Sequence, residues 1–459
     1  MNNSVLTLKQ RTIRAAVWAT TNHLIRQVLR LGTNLVMTRL LAPDMFGVMA
    51  IANVFIAWLM LFSDFGLHQN IIQSKRGNDP VFLNTVWAVT IIRGAILCAV
   101  ALFLCFLLYM ANQAQWIPAG TAYSDPILPY VLSAMAINIL VAGFESTRIA
   151  SAARNLDQRQ TFYFEIANQA IGIVCMLVWT LFDQSVWALV AGALAGTLSR
   201  TILSHVVLSG SPNAFKLDKK SIDEILSFGK WVVLSSLIGF LLTNGDRLIL
   251  GAFVDPSTLG IYSIAFLIAN TLYWVVLNII IRVAYPVISE VARTDAGRLS
   301  GIYYKFRLRF DTLAFLLSGI IFQSGHWIIN VLYDDRYTAA GPMLETLAIG
   351  IIIVPYLLTE QCLLSSGNTK AVFLSNTIRT VAIFSVTPIT FLQFGLQGAL
   401  WGIVLSSLIY VPISFYYLSR MHILQARREL VAIPLILSGH ALGMLLNKAL
   451  DAYHATFFT

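Results

Sequence analysis

"TRLLAPDMFGVMAI", residues 38–51, sets an arginine, a proline, an aspartate and a glycine at close spacing inside an otherwise apolar run. The segment "PDMFGVMAIA" from Pro43 has an echo in "PSTLGIYSIA" from Pro256, 213 residues later. Both read Pro-x-x-[Phe/Leu]-Gly-[Val/Ile]-x-x-Ile-Ala without a gap. Each is the corner of a tight helix hairpin. Proline suits the first turn of the second helix, where its missing N–H is not needed. The glycine lets another backbone approach closely. One such corner is ordinary, but its return at a fixed offset relates helices 1–2 to helices 7–8. The repeat unit is then six helices, and an even number of crossings gives both halves the same orientation.

The composition agrees with helices in lipid. The chain is 57% hydrophobic and 12% charged, with a mean hydropathy of +0.73, against about 25% charged residues in soluble domains. Apolar blocks recur along the whole chain at the roughly 20 residues needed to cross a hydrocarbon core of about 30 Å. Only helices or closed barrels satisfy the backbone there, and these blocks are too long for barrel strands. The expected fold is therefore all-α, a polytopic membrane protein of two parallel six-helix lobes with about one further C-terminal helix.

The expected helices cover 15–41, 45–73, 81–110, 127–149, 160–183, 185–209, 227–250, 259–288, 310–333, 340–366, 371–393, 396–419 and a shorter 431–450. These group into an N-terminal lobe (1–210), a linker (211–226), a C-terminal lobe (227–420) and an extension (421–459). Lysine and arginine favour cytoplasmic loops. They fall in alternate loops: Lys75 and Arg76; Arg148, Arg154 and Arg159; Lys216, Lys219 and Lys220; Arg298, Lys305, Arg307 and Arg309; Lys370; Arg420, Arg427 and Arg428. This alternation places the N-terminus in the cytoplasm of a multi-pass inner-membrane protein. The first helix has no small-residue cleavage site after it and reads as a retained signal anchor.

The net charge of +9 then serves anionic lipid headgroups, with no aromatic–basic cluster to suggest nucleic acid. The four cysteines, Cys98, Cys105, Cys175 and Cys362, lie inside apolar blocks without a CxxC pair. They read as small hydrophobes, and no metal or cofactor is expected.

A polar stripe runs through the first helix. His23, Arg26, Arg30 and Asn34 share one face, and an offset of 213 carries them to Ser236, Gly239, Thr243 and Arg247. Arg26 lies roughly 17 Å and Arg30 about 22 Å into the helix at 1.5 Å per residue. A charge near the bilayer centre costs about 2.5–3.5 kcal/mol on insertion scales and faces a bundle interior or a wet cavity. Arg93 and Arg379 are similarly deep with no evident acid partner. The acids Asp64, Glu145, Glu165, Asp311 and Glu360 read as lying near cytoplasmic helix ends, with Asp64–His68 and Glu145–Arg148 as rim pairs. The expected interior is net positive, which suits an anionic headgroup whose phosphate oxygens fit arginine's planar fork.

Two basic-lined halves, the "RLLAPDMFGVMAI" hairpin and "SDFGLHQNIIQ" (63–73) together resemble the bacterial polysaccharide-unit flippases. These Wzx-type exporters belong to the multidrug/oligosaccharidyl-lipid/polysaccharide exporter superfamily. The resemblance implies two lobes around a V-shaped central cavity that opens alternately to the two sides. It implies a polyprenyl-diphosphate-linked oligosaccharide as cargo, with undecaprenol as the lipid and its tail left among membrane lipids. Polysaccharide polymerase and chain-length machinery are the protein partners it implies. Arg26 and Arg30, with Arg247, would bind the diphosphate. Asn34, Thr243 and Asn244 would meet sugar hydroxyls, and His23 completes the stripe as a packed or proton-sensing residue.

Other classes fit less well. A membrane polymerase or ligase would be expected to carry a large outer loop with an active site, whereas residues 111–126 are short and lack His, Lys, Arg and Glu. No GxxxxGK[ST] phosphate cradle occurs; "SFGKW" (227–231) lacks its first glycine and its Ser/Thr. A multidrug–cation antiporter would want a carboxylate at mid-depth. A lipid II flippase shares the diphosphate chemistry and stays open.

Overall fold

The computed structural model describes residues 8–62, 67–155 and 157–457, with side chains there except at 8–17, 19, 20, 23, 62, 226–235, 296 and 450–457. Among the described residues every regular element is helical. Helix α1 (Leu8–Leu40) turns through two residues into α2 (Pro43–Phe62), so Pro43 does open a helix. Leu41 at the corner is fully buried. It packs with Met37 and Ala188, flanked by Met45, Phe46 and Met176. The opening motif is thus a hairpin corner wedged against two later helices. Its echo opens α10 (Pro256–Ile279) with a stronger start, because the Asp255 carboxylate accepts from the Thr258 N–H at 3.0 Å.

After α2 come α3 (Leu67–Gln73), α4 (Pro80–Gln113), α5 (Leu128–Gly143), α6 (Arg148–Arg154), α7 (Gln158–Phe182), α8 (Val186–Val206) and α9 (Lys219–Gly251). Beyond α10 follow α11 (Tyr285–Thr294), α12 (Leu299–Leu332), α13 (Ala340–Ala348), α14 (Leu358–Ser365), α15 (Thr369–Leu408), α16 (Tyr410–Arg420), α17 (Ala426–Glu429) and α18 (Ala432–Phe457). Nine helical runs among the described residues are long and apolar enough to cross a membrane, or ten if α5 and α6, bent by 62°, form one span. The chain is a multi-pass membrane protein.

Several expected helices are interrupted, each for a local reason. The expected 259–288 helix changes to a π-helical turn at Ile280–Ala284 before α11. Pro286 follows that turn, and the wider winding relieves the clash a proline ring makes with the preceding turn. The expected 340–366 helix carries a 3-10 stretch, Ile349–Leu357, around Pro355. The expected division of 371–393 from 396–419 lies at Gly395, whose φ of 62° and ψ of −151° break α15 in a region only glycine enters cheaply. The expected 127–149 helix stops at Gly143, and residues 144–147 turn the chain into α6. For 45–73, residues 63–66 lie outside the described residues, as do the expected Asp64 pairing and the start of "SDFGLHQNIIQ".

The chain divides into two compact units, Met1–Phe240 and Leu241–Thr459. In the first, α5 packs against α2, α4 and α8, and α7 against α1 and α8. In the second, the run from α13 to α14 packs against α10, α12, α15 and α16. The fourth helix of each half is therefore its central one, as a six-helix repeat requires.

Residues 208–218 form no helix and are strapped to the basic rim of the first unit. Arg148 donates to the carbonyls of Leu208 (3.1 Å) and Ser211 (3.2 Å) and also to that of His205, which replaces its expected pairing with Glu145. Asn213 joins Ser146 (2.6 Å) and Thr147 (2.7 Å), and the Ala214 N–H reaches Asn84 at 2.9 Å. Arg76 meets Asp79 (2.9 Å), Asp218 (3.9 Å) and Glu224 (3.7 Å). Arg154 donates to the carbonyls of Ile71 and Ile72, closing the C-terminus of α3.

In the second unit α18 lies along α12. Gly439 and Gly443 of α18 face Gly319 of α12, and a Cβ on Gly319 would sit 2.3 Å from the Gly439 carbonyl carbon. This is the small-xxx-small contact through which membrane helices bring their backbones together. Gln323 hydrogen-bonds the His440 ring at 2.7 Å beside it. Replacing Gly319 by Ala should cost about 1–3 kcal/mol of stability by overpacking. The thermal-unfolding midpoint of the solubilised protein reads the effect, and an unchanged midpoint would refute the close contact.

Candidate functional site

Helices α1 and α7 run side by side. The Trp18 ring lies 5.2 Å from that of Phe162, the Gln169 amide donates to the Arg26 carbonyl at 3.1 Å, and Thr180 meets the Met37 sulfur at 4.0 Å. This register sets Arg26 level with Gln169, 11 residues into α7, or about 17 Å from its start. Arg26 is therefore near mid-height of a spanning helix, in accord with its expected depth.

Its surroundings are not as expected. Arg26 Nη1 lies 3.3 Å from Glu165 Oε2, so a carboxylate reaches the interior one turn below it. The other oxygen of Glu165 accepts from Arg200 Nη1 at 2.8 Å. Arg200 Nε in turn lies 3.1 Å from Glu145 Oε1. Glu145 sits in the bend between α5 and α6, Glu165 on α7 and Arg200 on α8. Glu145 does lie just past the end of α5, but Glu165 does not stay at the rim: two arginines and two glutamates alternate as Arg26–Glu165–Arg200–Glu145. Arg93, placed without an acid partner in the sequence reading, acts electrostatically on Glu145.

The four differ in exposure, with Arg26 the most open and Glu165 the most enclosed. The Arg26 side chain is 48% exposed, Arg200 27%, Glu145 23% and Glu165 10%. Arg30, one turn above Arg26 on the same face, is exposed, and Asn34 is half-buried. The His23 side chain lies outside the described ones. Helix α1 thus brings together Arg26, Arg30 and Asn34 on an open polar face.

Helix α9 brings together the rest. Thr243 is exposed and accepts from the Asn244 amide at 3.1 Å. The Arg247 guanidinium stacks 4.0 Å from the Phe266 ring centroid. Its neighbour Asp246 is buried and takes the Tyr262 hydroxyl. The α1 set and this set belong to different compact units.

The second unit has its own buried charges. Arg307 is 1% exposed, although its position among basic residues reads as a loop; α12 begins at Leu299 and encloses it. It bonds Asp311 at 2.7 Å, approaches Glu429 of α17 at 3.6 Å and lies 3.4 Å over the Tyr356 ring. This cluster anchors the C-terminal extension. Arg379, also buried, lies 5.3 Å over the Tyr410 ring and acts on Glu360, so it too has an acid nearby.

Glu165 is the residue whose place in this network the sequence reading missed. Its signal was present: Glu165, Asn168, Gln169 and Gly172 follow i, i+3, i+4, i+7 spacing, the same stripe pattern that drew notice in α1. Ser199 donates to Asn168 at 2.7 Å, so that face of α7 meets α8.

Residues 36–342 match the family described as polysaccharide biosynthesis protein. The chain belongs to this family. The lipopolysaccharide biosynthesis protein WzxC of Escherichia coli (strain K12) is 21% identical over 457 residues, covering 97% of this chain and 90% of that protein. The succinoglycan biosynthesis transport protein ExoT of Rhizobium meliloti (strain 1021) is 21% identical over 330 residues, 70% of this chain and 64% of that protein. The inward closed structure of the lipid II flippase MurJ matches with a TM-score of 0.59 at 15% identity, covering 97% of this chain and all of that one. The family member described here therefore shares that helical transporter fold.

Within it, Arg200 is the member on which the other charges depend. Arg200→Ala would leave two carboxylates facing each other, a loss on the order of 3–5 kcal/mol for a broken buried pair. Glu165→Gln would leave Arg200 still bound to Glu145 and should cost far less. Thermal-unfolding midpoints of the two variants test this order, and equal midpoints would contradict it.

Proposed function

We propose that this chain is a flippase for an undecaprenyl-diphosphate-linked oligosaccharide. It would carry the unit from the cytoplasmic to the periplasmic leaflet of the inner membrane for assembly of an O-antigen, capsule or exopolysaccharide. The observation that carries this reading is the open face of α1, where Arg26 and Arg30 stand one turn apart near mid-height of the bundle. A diphosphate crossing lipid needs a cationic resting place at that depth, and guanidinium forks match its oxygens. The names of the relatives, which concern lipopolysaccharide and succinoglycan, support a polysaccharide unit as cargo. Arg247 would add a cation from α9, with Thr243 and Asn244, like Asn34, offered to sugar hydroxyls. The lipid tail stays in the bilayer, and no bond of the cargo is made or broken. The alternation of basic loops supports a cytoplasmic N-terminus. Polymerase and chain-length machinery would receive the unit.

Lipid II carries the same diphosphate, and the MurJ likeness makes it the second reading. A multidrug–cation exchanger is less favoured, because Glu165 and Glu145 are both held by Arg200.

The test is made in a strain lacking this protein. Its extracted lipids should contain polyprenyl-diphosphate oligosaccharide trapped in the cytoplasmic leaflet. The wild-type gene should clear it, and an Arg26→Ala/Arg30→Ala double variant, made at wild-type abundance, should not. Accumulated lipid II would favour the second reading. Drug sensitivity without any trapped lipid, or full clearance by the double variant, would refute the proposal.

A further inference from the structure

We propose that Glu165 is the resident counter-ion of the anion site and sets a charge threshold for what may occupy it. This rests on the reading that Arg26 binds the cargo's anionic headgroup. Glu165 Oε2 holds Arg26 Nη1 at 3.3 Å. A headgroup must displace that carboxylate before it gains Arg26.

The geometry makes the exchange cheap for the protein. Arg26 is half-exposed while Glu165 is almost buried, so Arg26 is the partner able to turn away. The Gln169 amide grips the Arg26 backbone carbonyl at 3.1 Å, which keeps α1 in place while the guanidinium moves. Glu165 is not abandoned, because its Oε1 retains the 2.8 Å bond from Arg200. Arg200 is itself fixed by Glu145 at 3.1 Å. Losing one partner of an isolated buried pair leaves an uncompensated charge. Here the three remaining members, Glu165, Arg200 and Glu145, still satisfy one another.

The exchange also discriminates. A monoanionic phosphodiester, the headgroup of ordinary membrane lipids, offers Arg26 about the same single charge as the carboxylate already there, and gains little by replacing it. A diphosphate brings a second charge, and Arg30 stands one turn along the same exposed face to receive it. Glu165 thereby lowers the affinity of every headgroup by the same factor, which leaves a phosphodiester too weakly held to occupy the site while a diphosphate, with its second charge, still does. It acts as a positioning residue through Arg26 and need not touch the cargo.

The experiment measures binding of two probes to the purified, detergent-solubilised full-length protein: farnesyl methyl diphosphate, a diester with two negative charges, and farnesyl methyl phosphate, a phosphodiester with one. The wild type should prefer the diphosphate at least about tenfold, a difference of roughly 1.4 kcal/mol. Glu165→Gln should raise the affinity for both probes by about tenfold with their ratio unchanged, so that the phosphodiester now binds measurably, an outcome that simple loss of structure cannot produce. In an Arg26→Ala background the same substitution should change nothing. Glu145→Gln leaves Glu165 as the sole acid of Arg200, loosens its hold on Arg26 and should raise both affinities by a smaller factor. It serves as the test if Glu165→Gln does not fold. If Arg26→Ala weakens diphosphate binding but neither glutamine variant raises the affinity for either probe, the counter-ion proposal is overturned and the anion site stands. If the wild type binds neither probe, or Arg26→Ala leaves binding unchanged, the anion site itself is wrong.

Discussion

Three helices of the first unit meet at one guanidinium. Arg200 of α8 is bonded on one side to Glu145, in the bend after α5, and on the other to Glu165 of α7. It gives each carboxylate a partner cation, without which burial of the charge is costly. Its rigid planar fork lets one cation serve two acids in fixed directions, which lysine could not do. From this follow the position of the α5–α6 bend, the orientation of α7 against α1 and the presentation of Arg26 on the open face. The network adds specificity of arrangement to a bundle whose apolar contacts alone would tolerate many rotations of each helix.

Much of this was legible in the sequence where the physics is one-dimensional. The hairpin corners at Pro43 and Pro256, the break between the helices ending near 393 and starting near 396, and a final helix after residue 431 all follow from breakers and apolar length. Family membership likewise agrees with the resemblance read from the hairpin and the basic first helix. What was not legible is long-range pairing. Glu165 lies seven residues into α7, so a count along the chain assigns it to the rim. Only the register of α7 against α1 and α8 shows that its side chain reaches Arg26 and Arg200. Arg307 failed for the opposite reason: it sits among basic residues that resemble a loop, yet α12 starts eight residues before it. Charge near a helix end is ambiguous until the neighbouring helix is known.

The internal repeat extends beyond the corners. An offset of 213 carries Glu145 to within two residues of Glu360, and Glu165 to within one of Arg379. In each unit an acid at the end of the fourth helix faces a charged residue on the fifth, but the sign on the fifth helix is reversed. The first unit answers with a third charge, Arg200, whereas in the second Arg379 lies over the ring of Tyr410. Duplication preserved the places where polarity is buried and left the charges free to diverge.

The glycine contact between α12 and α18 has a history in time as well as a place in space. Gly319 is synthesised 120 residues before Gly439, an interval of roughly 6–24 s at ordinary elongation rates. Until α18 is made, the bare-backbone groove of α12 lacks the partner that fills it in the folded chain. Membrane proteins are made among other nascent helices, any of which could enter such a groove. The arrival of α18 is then also the moment at which an adhesive face is withdrawn.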